Sequence, residues 1–393
     1  MSADRPDPAV TAGGRPGAPA VENDGRRGPA IRGEGPPGPA VVEGGGPAVT
    51  DGGGSRGPAV AGKDPAGEGS PGLVVTEEGD WDGLAVTASG SGSGVPGSGV
   101  LWLHGYTMSA AIWPPLWERL PGHRHVAVDL PWHGRSRPPR DGEDRAALAD
   151  LLVTRALEAG VRHVVALSFG TVVALEMALR HPRAFASWTL AAPSYAGGPQ
   201  DRAVERHYLD LLLLRRGAGS RARTAALWMS YAPIFGGIAA RPGARSALAD
   251  VIGGHAWDEL DGAGLRPLLE PRQPVARLAA LAAPLLVLVG DGEIPAHRAC
   301  AETIAAAAPR GFLRVLPGTG HLALLEEPRA VLEIVGAHIA DADHTDQTDA
   351  DHADADHADA DHADADHADA DHTDADHTDA ADAADHADDV GRG

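Results

Sequence analysis

Cysteine is almost missing from this chain: Cys300 is the only one in 393 residues. No intramolecular disulfide can form, and a lone thiol in an alanine-rich helical stretch fits a small buried hydrophobe better than a reactive nucleophile. Lysine is equally scarce, with Lys63 alone among 33 Lys and Arg residues. No basic patch or stripe is present, so the electrostatic footprint of a nucleic-acid binder is lacking. Long apolar runs are absent too. The longest, Leu278 to Val289, is too short for a bilayer span and is interrupted by Pro284. The opening MSADRPDPAV has neither a basic n-region nor an apolar h-region, so no secretory signal is visible. The expectation is a soluble, cytoplasmic protein with no membrane partner.

Leucine and aromatics are missing from both ends. None occurs before Leu73, and Val390 is the only larger aliphatic after Asp341. Neither end can bury enough apolar surface to offset chain entropy, so 1–72 and 341–393 are expected to be disordered extensions around one domain at 73–340. The first extension repeats Pro-Ala-Val, beginning at Pro8, Pro19, Pro39, Pro47 and Pro58. The second holds 20 Asp and one Arg, so −19 of the net −22 resides there and only −3 is left for the rest. It carries an Asp-His-Ala-Asp-Ala period through His352, His357, His362 and His367, with Thr variants at His372 and His377 and looser copies at His344 and His386. Histidine and carboxylate both ligate divalent transition metals, so weak metal binding is a chemical option for this tail. A period of five, however, puts no two of these histidines at helical i, i+4 spacing, and carboxylate repulsion extends the chain. No catalytic metal or cofactor is implied.

Between the ends, short β-rich runs alternate with helix-like stretches. The runs lie at Gly99 to Leu103, His125 to Val128, His163 to Leu167, Ser187 to Leu190, Leu285 to Val289 and Phe312 to Leu316, and such alternation predicts a parallel sheet covered on both faces. Leu73 to Thr76 and Gly83 to Thr87 are predicted to add opening antiparallel strands. Residues 195–274 break the rhythm, with helical patterns around His207 to Arg215 and Arg223 to Ser230. They read as an inserted helical cap.

Chemistry concentrates at four strand ends. Ala166-Leu-Ser168-Phe169-Gly170 joins a buried strand to an apolar helix. Such a turn thrusts a serine Oγ into a cleft and aims a helix N-terminus at a developing oxyanion, while demanding small residues on either side. Val100-Leu-Trp-Leu-His104-Gly105-Tyr106 ends a strand in a sharp turn, from which the Tyr106 amide is a candidate oxyanion donor beside that of Phe169. Val287-Leu-Val-Gly290-Asp-Gly-Glu293 offers two acids for orienting an imidazole. Spacing favours Glu293, whereas Asp291, close to the strand end, suits turn stabilisation. His321 sits in the loop Pro317-Gly-Thr-Gly320, where it is free to deliver Nε2 to the serine. Asp129, in Asp129-Leu-Pro-Trp132-His133-Gly134, is expected to bond its own loop backbone.

In combination and in order, these motifs resemble the α/β-hydrolase superfamily, in particular its lidded esterase, lactonase and peroxidase-like branch. The resemblance spans about Leu73 to Ala340. It implies a mostly parallel, doubly wound, eight-stranded α/β sheet with a helical cap. It also implies an acyl-enzyme route in which Ser168 attacks, His321 moves the proton and Glu293 steadies the imidazolium. Two departures are visible: Ala166 replaces the usual glycine before the serine, and Trp132 stands where similar sequences carry glycine. The substrate pocket is expected among Trp132, Trp228, Met229, Tyr231, Phe235 and Trp257, of which the cap residues equally suit packing onto the body. The leading expectation is hydrolysis of a small, apolar carboxylic ester or lactone. Carbon–carbon hydrolysis, perhydrolysis and acyl transfer use the same three groups, and a non-catalytic binding protein is the remaining class. Dehalogenase and epoxide-hydrolase chemistries are disfavoured, because those relatives place Asp where Ser168 stands.

Overall fold

A computed structural model describes residues 76–89, 94–262 and 264–345. The Pro-Ala-Val extension and the repeats beyond Thr345 lie outside the described residues.

Eight strands make one sheet: β1 (Thr76–Trp81), β2 (Leu84–Ser89), β3 (Gly94–Leu103), β4 (Gly122–Val128), β5 (Val161–Leu167), β6 (Ser187–Ala191), β7 (Leu285–Gly290) and β8 (Gly311–Leu316). Their spatial order is β1-β2-β4-β3-β5-β6-β7-β8. β2 runs antiparallel to both β1 and β4, and all other neighbours are parallel. The six later strands contain the runs expected from the sequence. Of the opening run expected at Leu73 to Thr76, Thr76 begins β1, and Leu73 to Val75 lie outside the described residues. The polar segment Thr76–Trp81 is a strand because it lies against β2 across an Asp82-Gly83 turn in which both residues have positive φ, 60° and 87°. Asp-Gly in that conformation is a hairpin signal strong enough to override weak strand composition.

The near-continuous apolar character of the central strands follows from burial on both faces. In β3, Leu101 and Leu103 enter one apolar cluster while Val100 and Trp102 enter the other. Helices α1 (Pro114–Trp117), α2 (Arg145–Glu158) and α3 (Phe169–Arg180) follow in the first half of the chain. Between β6 and β7 come α4 (Arg202–Arg216), α5 (Arg221–Met229), α6 (Ala232–Ala239), α7 (Pro242–Gly254) and α8 (Arg266–Leu269). The described residues end with α9 (Pro295–Ala307), α10 (Ala323–Glu326) and α11 over residues 328–345. α2, α3 and α9 supply the first cluster, and α1, α11 and α4 to α7 supply the second. Cys300 is buried in α9.

α11 continues past Ala340, where the composition changes. Ala342 is only 2% exposed, and Asp343 Oδ1 lies 3.2 Å from Nε2 of the buried His163. Alanine propensity and these contacts carry the last helix one turn into the repeat. Among the described residues, no helix is long and apolar enough to cross a membrane.

Candidate active site

The carboxyl ends of β3, β5, β7 and β8 converge, and each delivers one element of the site. Ser168 follows β5 directly and precedes α3. Its φ of 49° and ψ of −115° place a non-glycine residue in sparsely populated backbone space, a strain on the order of 1–3 kcal/mol that the surroundings must sustain. They do so by packing and hydrogen bonds. Ser168 N donates to Ala191 O at the end of β6 (2.9 Å), and Thr171 N donates back to Ser168 O (2.8 Å). A Cβ at Gly170 would come within 2.6 Å of Leu103 O and 2.7 Å of His104 O, so only glycine lets α3 start this close to β3. Ala166, fully buried, fits the preceding small position.

His321 bridges the other two groups. Ser168 Oγ–H donates to His321 Nε2 (2.9 Å), and His321 Nδ1–H donates to Glu293 Oε1 (2.8 Å). His321 and Glu293 are 2% and 6% exposed, so the Nδ1 bond is shielded from competition by water. Burial works against the Glu293 anion, but the charge and hydrogen bond of His321, with help from His297 and the Ile294 amide, outweigh it and hold the carboxyl below its ordinary pKa. Asp291, the competing acid, is turned elsewhere: its carboxylate accepts Gly318 N–H (3.0 Å) in the loop after β8.

The loop that presents His321 is tied down on both sides. Gly292 N donates to Thr319 O (3.0 Å), and Asp291 N donates to Leu316 O (2.9 Å). Gly290 is obligatory here, because a Cβ would run into the Thr319 and Gly320 carbonyls. The buried Glu326 carboxylate accepts Gly320 N–H (2.7 Å) and Leu322 N–H (3.1 Å), the two amides flanking His321. Glu326 stands five residues after His321, and its hydrogen bonds to these amides emerge only in three dimensions.

The loop after β3 lies against the serine: a Cβ at Gly105 would sit 3.5 Å from Ser168 Cβ. His104 is structural. Its Nε2 accepts Leu130 N–H (2.9 Å), its Nδ1–H donates to Gly105 O (2.8 Å), and burial lowers its pKa, which keeps the ring neutral. The rings of Tyr106 and Phe169 meet edge-on at 6.4 Å. Asp129 accepts Arg135 N–H (2.9 Å) within its own loop and also Ala110 N–H (2.6 Å) from the segment after β3, so it ties the two loops together.

The cap docks on this same loop. Trp228 Nε1–H donates to Thr107 Oγ1 (2.8 Å), and Tyr106 O–H donates to Glu259 Oε1 (2.6 Å), which also receives His255 Nε2–H (3.0 Å). Of the six pocket candidates, Trp228, Phe235 and Trp257 are buried, with Trp228 edge-on to both Tyr106 (5.4 Å) and Phe235 (5.5 Å) and Trp257 packed on His255 (4.9 Å). Met229 and Tyr231 are half-buried against the second cluster, Tyr231 stacking on His207, whereas Trp132 packs against the first. Trp228 and Trp257 thus pack the cap onto Tyr106 of the body, whereas the Trp228–Phe235, Trp257–His255 and Tyr231–His207 contacts lie within the cap.

One residue of the site escaped the sequence reading altogether. His297, in the first turn of α9 and four residues after Glu293, packs edge-on against His321 at 4.8 Å. Burial, then the neighbouring His321, lowers its pKa to about 4, so the ring is neutral at pH 7. The Glu-x-x-x-His spacing was its only signal.

The chain resembles known proteins. A family model described as "Alpha/beta hydrolase family" matches residues 100–334, well over half of the chain. The chain belongs to that family. Among curated relatives of this α/β hydrolase is BODYGUARD 3 of Arabidopsis thaliana, named a probable lysophospholipase, 33% identical over 28% of this chain. The chain spans about a quarter (24%) of that protein's length. The pimeloyl-[acyl-carrier protein] methyl ester esterase of Xanthomonas campestris is 30% identical over 62% of this chain and 96% of its own. Among solved structures, MenH from S. aureus superposes with a TM-score of 0.56 at 17% identity, covering 66% of this chain and 98% of its own. A thermophilic esterase from Thermogutta terrifontis gives 0.54 at 21% identity, covering 66% and 94%. At those identities the two structures speak for the fold alone.

Proposed function

We propose that this α/β hydrolase is a serine hydrolase that cleaves a small, apolar carboxylic ester or lactone through an acyl-enzyme intermediate. The observation that carries the reading is the His321 ring, hydrogen-bonded to Ser168 Oγ through one nitrogen and to Glu293 through the other. A serine hydroxyl is a poor nucleophile until a base takes its proton, and Glu293 holds the ring in the tautomer whose Nε2 lone pair faces that hydroxyl. Ser168 Oγ attacks the ester carbonyl as its proton passes to Nε2. The carbonyl oxygen becomes an oxyanion, for which the amides of Phe169 at the start of α3 and of Tyr106 after β3 are the assigned donors. The protonated ring then gives its proton to the leaving alcohol. Water, deprotonated by the same nitrogen, attacks the acyl-serine carbonyl and releases the acid and free Ser168. Two preorganised donors are typically worth several kcal/mol of transition-state stabilisation.

Kinship with a methyl ester esterase supports the ester reading, and the aromatic cap side chains supply an apolar wall against Tyr106. The test is fluorophosphonate labelling of the wild type and of Ser168→Ala, together with turnover of short p-nitrophenyl esters. Labelling is expected in the wild type only. Labelling that survives the substitution removes Ser168 as nucleophile. Ester turnover that is lost in His321→Ala but retained in Glu293→Ala transfers the acid's role to Asp291.

A further inference from the structure

Three potential metal ligands meet at one place in the described fold. Glu293, His297 and His321 each offer a donor atom, and these atoms lie within 4.8 Å of one another. Two of the groups have unused coordinating capacity. Glu293 spends Oε1 on His321 and on Ile294 N–H (2.8 Å), while its buried Oε2 has no hydrogen-bond partner. His297 Nδ1 is also buried without a partner. The mechanism proposed above has no task for His297, even though its ring lies against the base.

We propose that Glu293, His297 and His321 form an inhibitory site for a borderline-soft divalent cation, best satisfied by Zn²⁺. Two imidazoles and one carboxylate suit zinc, which binds such ligands at roughly 2.0–2.2 Å in a tetrahedral arrangement that leaves a fourth position for water. The donor atoms must close from their present separation by small side-chain rotations. Binding disables His321 whichever nitrogen it uses. Coordination through Nδ1 expels that proton to solvent and breaks the bond to Glu293, and coordination through Nε2 occupies the lone pair that receives the Ser168 proton. A metal held there therefore competes with catalysis instead of assisting it. Mg²⁺ and Ca²⁺, which require oxygen-rich shells, are not expected to bind. The inhibitory consequence rests on the serine-hydrolase reading; the metal site itself does not.

The experiment uses the full chain, so that the histidine-rich tail is present in every sample and cancels between variants. Fluorophosphonate labelling and p-nitrophenyl ester turnover are measured across buffered free Zn²⁺ for the wild type, His297→Gln and His297→Ala, with Mg²⁺ as control. Co²⁺ difference absorption between the wild type and His297→Gln reports occupancy without reference to activity. Zinc is expected to slow labelling and turnover of the wild type, Mg²⁺ to do neither, and both variants to need ~10-fold or more additional free zinc for the same inhibition. Equal zinc sensitivity in wild type and variants, or activation by zinc, overturns the site. A wild type that resists labelling in metal-free buffer refutes the hydrolase reading instead; the cobalt difference spectrum then decides the site, and its absence overturns it.

Discussion

Glu326 tests most directly whether the loop geometry, rather than Ser168, His321 and Glu293 alone, makes this site. Its carboxylate receives the amides on both sides of His321, Gly320 N at 2.7 Å on Oε2 and Leu322 N at 3.1 Å on Oε1, in a residue only 1% exposed. Glu326→Ala leaves two buried N–H groups without acceptors, at about 1–3 kcal/mol each, or roughly 2–6 kcal/mol together. For a domain of this size each kcal/mol lowers Tm by about 2–4 °C, so a fall on the order of 5–20 °C is expected by calorimetry. The kinetic effect is separate. His321 loses the anchors that set its distance to Ser168, and a displacement on the order of 1 Å costs about 10²-fold in rate, expressed in kcat with KM nearly unchanged. Glu326→Gln should fall between, because its single carbonyl oxygen serves one amide while its NH₂ opposes the other. Steady-state p-nitrophenyl ester kinetics at a temperature where the variant is folded provide the assay. A folded Glu326→Ala protein with undiminished kcat refutes the reasoning, since the loop would then hold His321 without the carboxylate.

Further expectations follow from the same contacts. Glu293→Gln offers His321 an amide in place of an anion and should lower kcat on the order of 10³–10⁴-fold, whereas Asp291→Asn, which weakens only the Gly318 turn, should cost far less; kcat for the two variants decides this. Because the Glu293 carboxyl is held below its ordinary value of 4.5, its stabilising interaction is complete above that pH and is lost as pH falls through the depressed value; Glu293→Gln should therefore lose stability relative to wild type near neutrality and less in strong acid, as read by chemical denaturation across pH. His125 acts in the same direction over a higher window: burial lowers its pKa from 6.5 to about 4, so protonation favours the unfolded chain and stability should fall as pH drops from 6.5 toward 4, by about 3 kcal/mol for this group. His125→Gln should flatten the denaturation midpoint over that window, and an unchanged slope would contradict the assignment. Gly170→Ala pushes a methyl into the Leu103 and His104 carbonyls and should lower soluble yield and Tm as well as labelling; a variant as stable as wild type would show that the close approach of α3 to β3 is not required.

Much of the sheet can be read from the chain because its central strands are buried on both faces. Val100 to Leu103 and Leu285 to Val289 are apolar at every position, a pattern that only a covered parallel sheet rewards. β1 is harder to read: Thr76 to Asp80 are exposed and polar, so hydrophobic patterning is silent there and the Asp82-Gly83 turn sets the register. The site divides in the same way. Ser168 and Gly170 are visible because a tight strand-to-helix turn constrains residues two apart in sequence. The Ser168–His321 bond spans 153 residues and the Tyr106–Glu259 bond another 153, so no local rule relates those partners.

The sequence by itself determined the alternating α/β sheet, the serine turn and the order in which serine, acid and histidine follow along the chain, since each depends on short-range sterics and apolar periodicity. Tertiary structure placed Glu293, which spacing only favoured, against His321 while turning Asp291 away, and it alone decided that Glu326 anchors the histidine loop, that Tyr106 and Trp228 hold cap to body, and that His297 lies against His321. The physical reason is that hydrogen bonding and packing are set by distance in space, which the chain fixes only after β3, β5, β7 and β8 have brought their carboxyl ends together.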